Sequence, residues 1–411
     1  MARLLPKSAS VDVPRVILAR SLRGFADGFV SVFLAIYLTA LGFSPLEIGA
    51  IVTGTLLGSA ALTLGVGLVA HRRELRVLLL GASILMVMTG IGFMVVTAFW
   101  ALLVVAVVGT LNPSAGDVSV FLPTEQAFLA GHVAELDRPR LYAVYNLGAA
   151  FAGAFGALAS GLPELLAKNA HLAKNDVLRA SFVLYVVIAI AVFFVYRGLR
   201  NERIATDIEH VERKPLAESR RTVFELAALF CLDSASGGFV VQSLLVLWLH
   251  LRFDLSTGDT AAVFFAVSLL SAFSQLLAGP LAARIGLVRT MVFTHLPANL
   301  FLALAAFAPS AGLAIACLLV RALFSQMDIP ARQALVMAVV TPEERAAAAS
   351  VTNVPRSLAS ATTPALAGAL LGASHFGWPL IIAGLGKATY DLLLLARFGR
   401  RAHVTTALGR R

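Results

Sequence analysis

Apolar stretches long enough to cross a bilayer recur along the whole chain, and no fold stable in water could bury them all. A spanning helix needs ~20 apolar residues. Such stretches fall near 14–40, 46–70, 76–97, 99–131, 139–162 and 179–199, and again near 222–250, 259–283, 288–308, 310–338, 345–372 and 376–397. Only 14% of the residues are charged and 59% are hydrophobic, with a mean hydropathy of +0.85; soluble domains carry about 25% charged residues. The expected fold class is therefore an all-α integral membrane protein with twelve transmembrane helices. The first apolar run is a full span followed by others, which argues against a cleavable signal. Cys231 and Cys317 both lie in apolar runs, so neither a disulfide framework nor a Cys/His metal site is expected.

The charges outside the spans set the orientation. With twelve spans both termini share one side. That side collects Arg72, Arg73, Arg76, Arg138, Arg140, Arg197, Arg213, Lys214, Arg220, Arg221, Arg284, Arg289 and the basic termini, whereas the other side has Lys168, Lys174, Arg179 and Arg252. Lysine and arginine gather in cytoplasmic loops, so the termini and the polar stretch 200–221 are expected in the cytoplasm. The same rule accounts for the net charge of +10 without nucleic acid.

The two halves repeat. Adding 207 carries Pro123, Glu125, Gln126 and Ala127 onto Pro330, Arg332, Gln333 and Ala334, Asn146 onto Asn353, and Gly161 onto Gly368. A repeat in the same membrane orientation implies two similar six-helix bundles about a pseudo-twofold axis along the membrane normal. Transporters built this way hold substrate near mid-membrane. The expected domains are 1–199, a linker 200–221, and 222–411.

This organisation resembles the major facilitator superfamily, over nearly the whole chain. The family's loop between the second and third helices of each half, roughly G-x-x-x-D-R-x-G-R-R, is matched in part by Gly67, Arg72 and Arg76, with His71 for the acid and Glu74 for the second glycine. In the second half Gly279, Arg284 and Gly286 match, with Ala283 for the acid. The resemblance implies alternating access, with helices one, four, seven and ten lining the cavity. The Gly-rich run Asn146–Gly161 lacks the Gly-Pro pair of many exporters but supports close helix packing.

Twelve charged residues fall inside the spans: Arg20, Arg23, Arg321, Arg332, Arg356, Lys387, Asp27, Asp117, Glu125, Asp233, Asp328 and Asp391. Each costs ~2.5–3.5 kcal/mol at a helix centre unless paired or wetted. Asp27, Asp117, Asp233 and Asp328 fall on the four cavity-lining helices, and with Arg321 and Arg356 form the expected substrate and proton site. Arg20, Arg23 and Asp27 share one helical face, so Arg23–Asp27 reads as a pair within one helix; Lys387–Asp391 reads the same way. Glu125 and Arg332 stand at equivalent repeat positions with opposite charge. With Gln126 and Gln333 they read as a cytoplasmic gate. Pro123 should bend the fourth helix.

Other chemistries lack residues. "GLGKAT", Gly384–Thr389, has Ala388 where a phosphate-binding loop needs Ser or Thr, and it lies inside a span. No cofactor, metal site or enzymatic motif is expected. The reading is a monomeric secondary transporter in a bacterial inner membrane, exporting a small organic compound in exchange for protons. Uptake, transport of an anion or metal ion, and an uncoupled receptor or lipid-moving protein are the alternatives.

Overall fold

A computed structural model of the 411-residue chain describes residues 10–69, 74–114, 119–133, 138–171, 173–200, 216, 218–341 and 344–399. Among these the regular structure is entirely helical. The first half contains α1 (Val13–Ala40), α2 (Pro45–Val69), α3 (Leu75–Val95), α4 (Phe99–Val108), α5 (Phe121–Gly131), α6 (Arg138–Ala159), α7 (Leu162–Ala170), α8 (Lys174–Ala180) and α9 (Phe182–Arg197). The second contains α10 (Arg220–Gly238), α11 (Gln242–Phe253), α12 (Thr257–Ile285), α13 (Leu287–Ala306), α14 (Ala311–Phe324), α15 (Asp328–Ala338), α16 (Arg345–Ala361), α17 (Pro364–Ala373) and α18 (Trp378–Phe398).

Ten segments among the described residues are long and apolar enough to span a membrane. The other two expected spans, the fourth and the eleventh, each comprise two short helices in series: α4 with α5, and α16 with α17. The tenth changes helix as well, at Ser325–Met327 between α14 and α15. The expected bend at Pro123 lies elsewhere. Pro123 is the third residue of α5, and Pro330 the third of α15. A first-turn proline sacrifices no helical hydrogen bond, because that N–H has no partner within the helix anyway. The interruption instead precedes the proline, and side chains satisfy part of its freed backbone. Thr110 N donates to Thr89 Oγ1 at 3.2 Å, and Asn112 Oδ1 accepts from Ser114 N at 3.3 Å and Ser114 Oγ at 2.9 Å.

The described residues form two compact units. One lies within Met1–Asp207, Gln242–His250 and Asp254–Ser268, the other within Ile208–Val241, Leu251–Phe253 and Leu269–Arg411. Most of α11 and the start of α12 thus pack in the first unit. Gln242 Nε2 donates to Ser31 Oγ at 2.9 Å, Ser243 N donates to the Pro113 carbonyl at 3.3 Å, and the Phe155 and Phe265 rings lie 5.5 Å apart. Most of the stretch 200–221 falls outside the described residues.

Helix pairing repeats from one unit to the other. In the first, α1 packs mainly on α6 and α3 on α9; in the second, α10 packs on α16 and α13 on α18. Lipid tails are as apolar as leucine, so association in a membrane relies on close packing and polar contacts. Small residues supply the packing between α1 and α6. A Cβ at Gly28 would overlap the Gly153 carbonyl, and one at Gly156 would overlap the Phe25 carbonyl. The α10–α16 contact has the same form, with Gly238 against Ser360 and Thr363. Phe33 of α1 stacks with Phe29 and with Tyr37, and Phe33 and Tyr37 meet Phe182 of α9 edge-on. The core of the second unit includes Phe230, Met291, Val292, Leu335, Tyr390 and Leu394. Trp100, Phe194, Leu277 and Leu385 point outward with 59–75% of their surface exposed, as lipid-facing side chains do.

Gly28→Val should force α1 and α6 apart and lower the melting temperature of the purified protein by several degrees, since overpacking costs about 1–3 kcal/mol. Gly81→Val provides a control for added bulk, because nothing lies within reach of a Cβ there and its backbone is helical.

Candidate functional site

Each unit buries a cluster of charged side chains. In the first, Arg23 of α1 forms an ion pair with Glu125 of α5. Both are buried, at 2% and 0% exposure. Taking two charges out of water is repaid only when their other valences are filled. Here Tyr145 Oη donates to Glu125 Oε2 at 2.6 Å and Tyr196 Oη to Oε1 at 2.7 Å. The Arg23 guanidinium also reaches Ser119 Oγ at 3.3 Å and lies 4.2 Å from the centroid of the Phe121 ring. Helices α1, α5, α6 and α9 thus meet at one carboxylate. Nearby, the Asp27 carboxylate accepts a hydrogen bond from Asn112, and the Arg20 guanidinium stands 5.5 Å from the Tyr145 ring centroid.

In the second unit the cluster faces a cavity of about 140 Å³. The walls are Asp233 of α10, His295 and Asn299 of α13, Arg321 of α14, Ser325, Gln326, Asp328, Ile329 and Arg332 around the start of α15, Arg356 of α16 and Lys387 of α18. Ile329 is the one apolar side chain among them. Asp233 is the hub: Lys387 Nζ donates to its Oδ1 at 2.7 Å, Arg332 Nη1 lies 3.5 Å from Oδ2, and His295 Nε2 lies 3.9 Å from Oδ1. Arg332 also holds Asp328, at 3.2 Å. Behind the wall, His295 Nδ1 stands 3.0 Å from Asp391 Oδ1, and Asn299 Nδ2 donates to Asp391 Oδ2 at 2.9 Å. Arg356 Nε donates to Ser234 Oγ at 2.9 Å.

The two clusters are related by the repeat. Gly28 on Gly153 corresponds to Gly238 on Ser360, which sets the register of the first helix of each half at 210. Arg23 then corresponds to Asp233, just as Glu125 corresponds to Arg332. The first unit pairs Arg23 with Glu125, and the second pairs Asp233 with Arg332. It is the same pair with its charges exchanged.

The residues expected from the sequence are distributed as follows. Asp233, Asp328, Arg321 and Arg356 come together at the second unit's cavity, and Asp27 lies in the first unit. Asp117 is outside the described residues. The pairing within α1 expected for Arg23 and Asp27 gives way to Arg23–Glu125. Likewise Lys387 reaches Asp233 while Asp391 takes His295 and Asn299. Glu125 and Arg332 each have partners in their own unit, so a bridge between them would require both to leave those partners. Gln126 accepts from Tyr142 Oη through its carbonyl at 3.0 Å, and Gln333 is exposed. Of the loop residues, Gly67 lies in α2, Gly279 in α12, and Arg72 outside the described residues. Arg76 donates to the Arg197 carbonyl at 2.6 Å, at the end of α9; Arg284 is exposed; Gly286 takes φ +88°, the conformation that favours glycine, between α12 and α13. Gly384–Thr389 is plain α-helix within α18, not a phosphate loop.

Tyr145, Tyr196, His295 and Asn299 are absent from the expected site. A count of formal charges passes over all four. His295 and Asn299 do leave a readable signal: two polar residues four apart within an apolar span share one helical face.

A family model described as Major Facilitator Superfamily matches residues 16–295 and 234–409. The chain belongs to the major facilitator superfamily. Its membership is that of a multi-pass membrane transporter rather than an enzyme. The crystal structure of nucleoside transporter NupG covers 95% of this chain and 99% of its own at 13% identity with a TM-score of 0.71. That of a D-xylose–proton symporter covers 93% and 97% at 14% identity with a TM-score of 0.72. These likenesses show the superfamily fold. A curated sequence relative, the uncharacterised membrane protein YJR124C of Saccharomyces cerevisiae, is 25% identical over 95% of both chains.

Tyr145→Phe and Tyr196→Phe should each destabilise the protein by about 1.5–3 kcal/mol, the usual worth of a hydrogen bond to a charged group. The check is a thermal melt of each variant beside Tyr142→Phe, whose hydroxyl reaches a backbone carbonyl instead.

Proposed function

We propose that this superfamily member is a proton-coupled secondary transporter of a small organic solute, working by alternating access, and that Asp233 with Lys387 is the coupling pair. The observation that carries this reading is the 2.7 Å contact between a carboxylate and an ammonium on the wall of a polar cavity. In such a pair the carboxylate keeps its charge while the cation holds it. When a solute draws Lys387 away, the buried carboxylate gains affinity for a proton, because burial disfavours its ionised form. His295 and Asp391 extend the titratable chain behind Asp233, so a proton taken at the cavity has a place to go.

The sign of coupling follows from solute charge. A cationic solute competes with the proton for Asp233, which gives exchange, the export mode expected from the sequence. An anionic solute competes with Asp233 for Lys387 and Arg332, which gives cotransport. A solved structure of the same fold is a D-xylose–proton symporter, which is in keeping with the cotransport mode. We place the protein as a monomer in the cytoplasmic membrane of a bacterium; the asymmetry of its arginines and lysines supports both termini lying inside.

Asp233→Asn should abolish transport driven by a pH gradient in proteoliposomes, while solute exchange at equal pH on both sides continues. Full gradient-driven accumulation in Asp233→Asn would remove Asp233 from the coupling role. Lys387→Met should show the same loss of coupling, again with exchange at equal pH continuing.

A further inference from the structure

Among the described residues, bases outnumber acids on the wall of the second unit's cavity. Four basic side chains, Arg321, Arg332, Arg356 and Lys387, face two carboxylates, Asp233 and Asp328. The carboxylates are already engaged: Lys387 and Arg332 hold Asp233, and Arg332 holds Asp328. Arg356 reaches the same wall, its Nε donating to the Ser234 hydroxyl. Arg321 has no hydrogen-bond or ion-pair partner among the described residues, and its Nε is buried. An unpartnered guanidinium within a spanning segment is costly to keep. A planar fork of donors fits a carboxylate or phosphate at two points.

We propose that this cavity is an anion site, in which Arg321 and Arg356 grip the carboxylate or phosphate group of the transported solute. The inference rests on the transport reading above and deepens it by naming the charge of the solute. It also fixes the sign of coupling. An anion seated between Arg321 and Arg356 lies beside Lys387 and Arg332 and competes with Asp233 for them. Asp233 then takes up a proton, and proton and anion move together in one direction. The size of the cavity limits what is gripped to a small acidic group, with the rest of the solute extending beyond it.

The test uses the full-length protein purified in detergent at constant ionic strength. Thermal shift is recorded with matched pairs, benzoate with benzamide and succinate with succinamide, and with inorganic phosphate. At least one anion should raise the melting temperature where its amide does not. That shift should weaken by roughly 10- to 100-fold in apparent affinity in Arg321→Gln, the equivalent of losing one charge-assisted contact. It should be retained in part in Arg321→Lys and fully in Arg221→Gln, whose side chain is 91% exposed and sits away from the cavity. The melting temperature of Arg321→Gln without ligand checks that the variant folds. Phosphate acting alone would mark a phosphate group as the ligand, and a carboxylate acting alone would mark a carboxylate. Absence of any anion-specific shift, equal shifts with acids and amides, or a shift that survives both Arg321→Gln and Arg356→Gln would overturn the proposal. Binding is measured without a pH gradient, so this outcome is separate from that of the Asp233→Asn flux experiment.

Discussion

A buried ion pair joins the first spanning helix of each half to the broken end of the fourth. In the first half the base is on the first helix and the acid on the fourth; in the second half the charges are exchanged. Each pair sits beside a break in its helix. Once the helical ladder stops before α5 and α15, each short helix has lost its covalently ordered support. A charge pair inside a poor dielectric restores an anchor that is expensive to break. The prolines in the first turns of α5 and α15 then fit without loss, because the break has already freed the backbone groups around them.

The two pairs have different surroundings. Glu125 is closed in by Tyr145, Tyr196 and Arg23, each with fixed geometry and none easily titrated near neutrality. Asp233 faces a cavity and has Lys387, Arg332 and His295 around it. One pair is built to hold, and the proposed account gives the other the work of exchanging partners.

Much of this was legible in the sequence. The apolar stretches and the repeat gave the spans and the superfamily fold, because length and hydropathy are nearly sufficient constraints in a bilayer. The interruptions were legible as places but not in detail: Pro123 marked the fourth helix, yet the break lies upstream of it. Partner choice was not legible. Spacing of four along one helix made Arg23–Asp27 and Lys387–Asp391 look like pairs, but the partners that form are 102 and 154 residues away in sequence. Local spacing says which side chains share a face and nothing about which helix that face meets. The opposite charges of Glu125 and Arg332 pointed to a contact across the repeat. The register of Gly28 and Gly238 gives those charges another meaning, since it supplies each with a counterion on the first helix of its own half.

The most direct test of that pairing is a pair of double-mutant cycles read by thermal melting of the purified protein. Arg23→Met and Glu125→Gln should each be destabilising, by about 3–5 kcal/mol for a buried pair stripped of one partner, and the double variant should be no worse than the poorer single. Glu125→Gln combined with Arg332→Met should be additive, as independent sites are. Additivity in the first cycle with strong coupling in the second would contradict the account, and would return Glu125 and Arg332 to a single bridge.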